Sequence, residues 1–133
     1  MKHELAGMFE DVDRMSIDGF LSYLTDDVVF RFGNAPELRG KQAVREAIEL
    51  FFSGIAGLKH DLQGVWREGD TTVLRFDTHY TKHDGAILSV PCCVVVQFNA
   101  SRLIHDYRIH IDISSLFSTA SVDTVQLLSL IHI

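Results

Sequence analysis

Two carboxylates and an arginine stand at positions from which acid–base chemistry is possible. Arg75 and Asp77 are two residues apart in one alternating segment, and Asp112 lies near the end of another. Two carboxylates that share an arginine in an apolar pocket can have different pKa values, so that one is ionised while the other is protonated. These residues can act together only if the strands that carry them place their side chains on one face.

The first hairpin turn predicts part of that face. Asp84-Gly85 is a strong hairpin signal that pairs residue 82 with residue 86. This register puts Asp77 opposite Pro91. Two residues earlier on the same strand, Arg75 then lies opposite Cys93. Directly opposed residues share a face of the sheet, and so do residues two apart on one strand.

The next turn extends the face to the last strand. Pairing residue 98 with residue 103 puts Pro91 opposite His110 and Cys93 opposite Arg108. A slip of one residue, or a bulge at Pro91, would turn part of this set to the other face. The residues expected to share the face are Arg75, Asp77, His79, Arg108, His110 and Asp112.

This charged face has two interpretations, and the alternation leaves both open. It is the solvated face of a two-sided sheet, where charge is normal. Alternatively, the opposite face is buried in a dimer and the charged face forms the floor of a pocket. The opposite face is expected to carry Leu74, Phe76, Tyr107, Ile109, Ile111 and Ile113.

The elements that position these residues follow from hydrophobic periodicity and turn chemistry. Apolar residues at helical spacing predict a helix across Leu5–Met15, and Ser16 is placed to cap a second short helix. A third helix is predicted from about Lys41 to Ser53, ended by Gly54. The predicted strands are Val28–Phe32, Leu58–Arg67, Thr71–Lys82, Ala86–Phe98 and Leu103–Ile113. Pro91 indicates a bulge or an unpaired edge position. Helices followed by a strand meander indicate an α+β domain.

Composition limits the class of protein. The chain has 133 residues, of which 47% are hydrophobic and 23% charged, as expected for one globular domain. The net charge of −6 argues against nucleic-acid binding, because phosphate contacts need a basic face. No apolar run reaches the ~18–20 residues that span a bilayer, and the N-terminus lacks the apolar core of a signal peptide. Adjacent Cys92 and Cys93 offer no disulfide framework, so we expect a reducing, cytoplasmic location.

Three segments of the chain resemble a known family. They are Asp26-Asp27-Val28-Val29-Phe30, Leu38-Arg39-Gly40-Lys41-Gln42-Ala43-Val44 and Ile104-His105-Asp106-Tyr107-Arg108-Ile109-His110-Ile111-Asp112. Over about Leu5–Phe117 the chain is similar to the SnoaL-like branch of the nuclear transport factor 2 superfamily. The resemblance implies a cone, in which a strongly curved antiparallel sheet wraps three helices around a deep apolar pocket, the cystatin-like α+β barrel. It also implies a homodimer that binds a small apolar molecule without a cofactor. Fold alone does not settle function in such a superfamily.

Within that superfamily, the site pattern resembles limonene-epoxide hydrolase. Arg75-Phe76-Asp77 matches that family's Arg-x-Asp, and Asp112 matches the aspartate that closes its last strand. The resemblance implies that Asp112 is the base, Asp77 the acid and Arg75 the bridge between them. Opening an epoxide with water needs such a base to take the proton of water and such an acid to protonate the leaving oxygen.

The loop before the third helix departs from that pattern. Asn34 is in place to help hold the water, but Phe32 stands where the family has a tyrosine and carries no hydroxyl. Cyclisation of a polyketide, with Asp112 assisted by His110 or His79, is an alternative. So is isomerase chemistry, and so is a non-catalytic domain for ligand binding or association. The candidate substrate- or water-binding residues are Asn34, Phe32, His79, His110 and Trp66.

Other chemical groups are assigned structural roles. The seven histidines show no metal-ligand spacing, so no metal site is predicted. His60 is interpreted as a structural histidine, and Tyr80, like Trp66, as a packing residue. Cys92 and Cys93 point to opposite sides of a strand and are expected to act as small apolar residues.

The last stretch of the chain differs in character from the rest. We expect the domain to span residues 1–117, and residues 118–133 to form a tail whose status the sequence leaves open. This tail is either an extra element that covers an apolar surface or a segment foreign to the domain.

Overall fold

The helices and the first two strands precede four long strands. The structure is a computed structural model that describes residues 4–116, so the predicted tail of residues 118–133 lies outside the described residues. The helices are α1 (Ala6–Asp13), α2 (Ile17–Leu21) and α3 (Lys41–Ser53). The strands are β1 (Leu24–Phe32), β2 (Leu38–Arg39), β3 (Gly57–Glu68), β4 (Thr71–Thr81), β5 (Ile87–Phe98) and β6 (Ile104–Ile111). The predicted α+β order is confirmed.

Two helix ends confirm the capping signals in the sequence. The Ser16 hydroxyl accepts the N–H of Gly19 at 3.3 Å, which satisfies a donor that has no partner within the first turn of α2. Helix α3 has the predicted bounds, and Gly54 is its C-cap. Within residues 4–116, no helix is long and apolar enough to span a membrane.

The strands form one curved, unclosed sheet. Its six strands have the order β2-β1-β6-β5-β4-β3. Strands β3 to β6 follow one another as antiparallel neighbours. Strand β1 lies beside β6 and runs parallel to it. Parallel neighbours need a long crossover connection, which α3 and strands β3 to β5 supply here.

The register confirms the predicted shared face. Asp77 pairs with Pro91 and Arg75 with Cys93, as the Asp84-Gly85 turn predicted. Cys93, however, pairs with His110 instead of Arg108, so the prediction for the last turn is wrong by two residues. A bulge between Gln97 and Phe98 accompanies this shift. Because the shift beyond the bulge is even, it leaves Arg108 and His110 on their predicted face, and Ile104, at the bulge, is buried in the core.

Pro91 lies at the point in β5 where the pairing with β6 ends. It pairs with Asp77 of β4, but the pairing of β5 with β6 begins only at Cys92. Among the described residues, the Ile87–Pro91 half of β5 therefore has no strand on its β6 side. Proline has no backbone N–H to donate there, so the predicted unpaired edge position is confirmed.

The two faces of the sheet differ in burial. Alternate residues of β4 and β5, such as Leu74, Phe76, Cys92 and Val94, are buried against the helices. Their neighbours, which point the other way, include exposed Arg75 and half-buried residues. The apolar, helix-covered face is called the inner face below, and the charged face the outer face.

Candidate active site

A cavity of about 330 Å³ lies between helix α3 and the inner face of the sheet. This volume is within the range of small-molecule sites in proteins. Its apolar walls come from every part of the domain and include Phe20, Phe30, Ile48, Phe51, Val94 and Ile109. Among residues 4–116, no lysine, arginine, aspartate or glutamate lines it.

Three hydrogen-bonding groups in the lining are weak acids held in their neutral form. They belong to the lining residues Tyr80, Tyr107 and Cys92, two phenols and a thiol. Burial raises the pKa of both tyrosines, and the nearby Cys92 raises them further. Burial also raises the pKa of the Cys92 thiol to about 11, although the Thr78 hydroxyl opposes this. At neutral pH all three groups are hydrogen-bond donors without charge.

The fourth polar group of the lining is the imidazole of His60, which is paired with Asp13. His60 Nδ1 lies 2.7 Å from Asp13 Oδ1. The backbone N–H of His60 also donates to the same carboxylate, at 3.2 Å to Oδ1 and 3.1 Å to Oδ2. An ionised carboxylate only accepts hydrogen bonds, so Nδ1 carries a proton in this arrangement. Among residues 4–116, Nε2 of His60 has no hydrogen-bond partner.

Packing fixes the orientation of this imidazole. The ring centroids of Phe9 and Phe76 each lie 5.1 Å from that of His60. Only 10% of the His60 side chain is exposed, and 26% of that of Asp13. Asp13 is the last residue of α1 and His60 lies in β3, so the pair also joins a helix to the sheet.

The His60–Asp13 pair is a site that the sequence interpretation missed. His60 is interpreted from the sequence as a structural histidine, and its chain neighbour Asp61 is exposed on the other face of β3. Its actual partner is 47 residues away in the chain. The available signal was weak: an aspartate at the end of an amphipathic helix, and a histidine at an inward position of a strand.

The three residues predicted to be catalytic lie elsewhere. Arg75, Asp77 and Asp112 belong to the outer face or its rim, are exposed, and do not line the cavity. The structure therefore places these groups on the solvated face and not on a pocket floor. The guanidinium of Arg75 lies 5.7 Å from the ring centroid of Trp66, a cation–π contact on that face.

Asp112 has a local structural role. Its Oδ1 accepts the backbone N–H of Ser114 at 2.9 Å, in the turn that follows β6. Hydrogen bonds from the backbone and the hydroxyl of Ser114 lower the pKa of the Asp112 carboxyl. Asp112 is thus held in its ionised form at a turn, where an aspartate often binds the backbone two residues ahead.

Of the five candidate binding residues, only Phe32 lines the cavity. Its ring lies 5.0 Å from that of Phe51, which makes it part of the apolar wall. Asn34 and Trp66 are exposed, as is His110. His79 is half-buried on the outer face, where its Nδ1 lies 2.6 Å from the hydroxyl of Ser89.

The adjacent cysteines divide between the two faces, as predicted. Cys92 is buried and lines the cavity, whereas Cys93 is half-buried on the outer face. Within residues 4–116, no three histidine, cysteine or acidic side chains are grouped so that they could hold a metal ion.

The family model of the SnoaL-like domain matches residues 5–106 of the chain. No curated protein matches it by sequence. The fold is similar to that of several solved structures. One is a protein from Catenulispora acidiphila with a ketosteroid isomerase-like fold, in complex with trimethylamine. It has 10% identity and a TM-score of 0.79, and the match covers 92% of this chain and 96% of that one.

Two further structures carry more specific descriptions. A putative polyketide cyclase from Xanthomonas campestris has 14% identity and a TM-score of 0.70, with 84% of this chain and 89% of that one covered. TerC, crystallised with polyporic acid, has 15% identity and a TM-score of 0.72, with 97% and 95% covered. At these identities the similarity shows the fold alone.

Proposed function

The chain belongs to the SnoaL-like domain family, and from this we propose that it is an acid–base enzyme acting on a small apolar molecule in the cavity, with His60 as the proton-transferring group. One observation carries the proposal: an imidazole in the wall of an apolar cavity is hydrogen-bonded on one side to a carboxylate. Such a carboxylate fixes the tautomer and the orientation of the ring and stabilises the cation that forms when the ring takes a proton.

His60 is suited to be the base because its two nitrogens have different roles. Nδ1 donates to Asp13, so the lone pair of the imidazole is on Nε2. A base with no competing hydrogen bond can take a proton from a carbon or an oxygen of a bound substrate. The rings of Phe9 and Phe76 keep the imidazole from rotating. Asp13 is a positioning residue, since it acts through His60.

The uncharged tyrosines of the cavity can stabilise the negative charge that forms on a substrate when a proton is removed from it. When a proton leaves a carbon next to a carbonyl group, negative charge develops on the carbonyl oxygen. The hydroxyls of Tyr80 and Tyr107 can donate to that oxygen without being ionised themselves. Fixed donors in an apolar site are worth more to a developing anion than the same donors in water. The substrate class that fits is an apolar molecule with a ketone, quinone or ester oxygen.

Two of the similar structures have descriptions that are consistent with this substrate class. One similar structure is a putative polyketide cyclase, and another was crystallised with polyporic acid. Cyclisation or isomerisation by proton transfer needs only a base, an oxygen-binding group and a shaped cavity. Epoxide hydrolysis through Asp112, Asp77 and Arg75 has no such support, because these residues do not line the cavity.

Elimination of a proton from 5-nitrobenzisoxazole tests the proposed base without knowledge of the natural substrate. A base takes the ring C–H proton, the electron pair forms a nitrile, and the N–O bond breaks to release a coloured phenolate. We expect saturable catalysis by the protein. His60→Gln keeps a polar side chain of similar size and is expected to lower kcat/KM about a hundredfold, the range of general-base effects.

His79→Gln is the matched control, because His79 is a histidine on the outer face. It is expected to retain the rate of the unchanged protein. The proposal fails if His60→Gln is as active as the unchanged protein while both bind the probe with equal affinity. Loss of activity in both histidine variants would also contradict it.

Association of two copies is a further part of the proposal. On the outer face Trp66 is 53% exposed beside half-buried aliphatic residues, which would suit contact with a second copy. Light scattering coupled to gel filtration should then give twice the mass of one chain, and a Trp66→Glu variant half of that. A mass of one chain for the unchanged protein would contradict this part.

A further inference from the structure

One wall of the cavity is a short loop. Residues Gly33–Glu37, here called the strap, connect β1 to β2. Ala35 and Pro36 line the cavity, and both residues are exposed. Among the described lining residues, these two belong to a loop, whereas the others belong to helices and strands.

The backbone of the strap is attached mainly at its first residue. Gly33 has a φ of +58°, and its N–H donates to the carbonyl of Ile109 at 2.8 Å. This left-handed conformation is one that glycine adopts without strain. At the other end, Leu38 pairs with Phe30 in the short strand β2. Between Gly33 and Leu38, all of which the structure describes, there is one backbone–backbone hydrogen bond. The N–H of Ala35 donates to the carbonyl of Phe32 at 3.1 Å.

Three arginines hold the strap, and one of them is Arg39 of β2, whose Nη2 lies 3.4 Å from Glu37 Oε1. Arg31 Nε donates to the carbonyl of Ala35 at 3.0 Å. Arg108 Nη1 lies 2.9 Å from Glu37 Oε2. The same guanidinium donates from Nε to Asp106 at 2.9 Å, which fixes its position on β6. About a third of the Arg108 and Glu37 side chains is exposed, so water and salt reach this ion pair.

We propose that the strap is the gate of the cavity and that the Glu37–Arg108 ion pair is its latch. This inference rests on the proposed function only in that the cavity must take up a small molecule. When the ion pair opens, the strap swings about Gly33 and opens the cavity at the wall that Ala35 and Pro36 form. The ion pair then sets how fast a ligand enters and leaves, and not how tightly it is bound.

Stopped-flow fluorescence with N-phenyl-1-naphthylamine, an uncharged probe that brightens in apolar surroundings, tests the gate. Glu37→Gln removes the charge with little change of shape. It is expected to raise both the association and the dissociation rate constants by about two- to fivefold, the effect of losing the exposed ion pairs of Glu37 with Arg108 and Arg39. Because both rates rise together, Kd is expected to stay within about twofold.

Salt gives a second readout of the same latch. For the unchanged protein, raising NaCl from about 0.02 to 0.5 M is expected to increase both rates, because salt screens exposed ion pairs. The Glu37→Gln rates are expected to be the same at both concentrations. Glu4→Gln is the matched control. It removes the same charge from another exposed ion pair, in which Arg102 Nη2 lies 2.6 Å from Glu4, and it is expected to leave the rates unchanged.

The outcomes separate the gate from the proposed function. Binding that disappears in Ala47→Trp, which fills the cavity, shows that the probe reports the cavity. If the probe binds there and Glu37→Gln leaves both rates unchanged, the strap is not the gate. A change in the dissociation rate alone also overturns the inference, since Glu37 would then contribute to affinity. Failure of the probe to bind at all would count against the proposed function itself.

Discussion

The carboxylate of Asp13 contacts His60 twice, through the side chain and through the backbone. Asp13 Oδ1 lies 2.7 Å from Nδ1, and the backbone N–H of His60 is 3.1 Å from Oδ2. One carboxylate thus sets both the tautomer of the ring and the position of the strand that carries it. This pair links the end of α1 to the wall of the cavity, and the first prediction concerns it.

Asp13→Asn should lower proton transfer more than it lowers ligand binding. The amide can donate to Nδ1, which favours the tautomer with the proton on Nε2 and removes the base from the cavity. We expect kcat for 5-nitrobenzisoxazole to fall at least about tenfold with KM changed by less than about twofold. Nitrogen NMR of the labelled imidazole would show the proton moving from Nδ1 to Nε2.

Asp11→Asn is a suitable control for this variant. Asp11 lies on the same helix and is paired with Arg14, away from His60. It is expected to change neither kcat nor the imidazole signals. An unaltered tautomer in Asp13→Asn together with full activity would show that the carboxylate does not position the ring.

The two cavity tyrosines should recognise oxygen and not hydrocarbon. Tyr107→Phe and Tyr80→Phe each remove one hydroxyl and keep the ring. We expect each to raise the Kd of 1-tetralone by about two- to tenfold, the effect of one lost hydrogen bond of about 0.5–1.5 kcal/mol. The Kd of tetralin, which lacks the carbonyl oxygen, should not change. Calorimetric titration of both compounds measures the difference, and equal losses for both would mean that the hydroxyls only shape the cavity.

Variants of the outer-face carboxylates distinguish catalysis in the cavity from catalysis on the outer face. Asp77→Asn and Asp112→Asn alter exposed carboxylates that do not line the cavity. We expect neither to change the elimination rate by more than about twofold, because exposed charges act weakly through water. Diol formation from limonene oxide, measured on the same variants, checks the alternative. A loss of diol formation in Asp112→Asn would restore the outer-face carboxylates as a catalytic group.

The two cysteines should differ in reactivity. The thiolate is the reactive form of cysteine, and burial raises the pKa of Cys92 to about 11. Iodoacetamide at pH 8 is therefore expected to label half-buried Cys93 and leave Cys92 unmodified until the protein is denatured. Peptide mass spectrometry locates the label. Equal labelling of both residues in the native protein would contradict the burial of Cys92.

Alkaline pH should destabilise the protein through the same buried group. The fold favours the neutral thiol, since the pKa of Cys92 rises from 9.0 to about 11 on folding. Its contribution to stability is present below pH 9 and is lost as the pH rises through 11. The complete loss amounts to about 3 kcal/mol, of which about 2 kcal/mol is lost by about pH 10.5. Urea unfolding from pH 8 to 10.5 measures it, and Cys92→Ala should show a smaller decrease than the unchanged protein over this range.

The sequence predicted the elements well because their signals are local. Helix α3 has a regular apolar stripe and a glycine after its last residue, and both ends were predicted correctly. The turn at Asp84-Gly85 fixed the register of β4 with β5. The next register was wrong by two residues, because the bulge between Gln97 and Phe98 has no clear signal in residue types.

The site was harder to predict because it depends on contacts between distant elements. Alternation separates the two faces of a strand but does not say which face the helices cover. The charged residues Arg75 and Asp77 indicated a site on what is the outer face, whereas the cavity lies on the inner face. The Asp13–His60 pair joins a helix end to a strand 47 residues later, and no spacing rule connects them.

Pro91 has a consequence for the behaviour of the protein at high concentration. Strands with unpaired N–H and C=O groups can recruit strands from other molecules and so begin aggregation. The Ile87–Pro91 half of β5 is such an edge within the described residues, and Ile87 is 67% exposed there. A proline at the inner end of this edge offers no N–H to an incoming strand, which interrupts any continuous ladder. Pro91, which lies where the pairing of β5 with β6 ends, thereby also hinders strands of other molecules from pairing with this edge of the sheet.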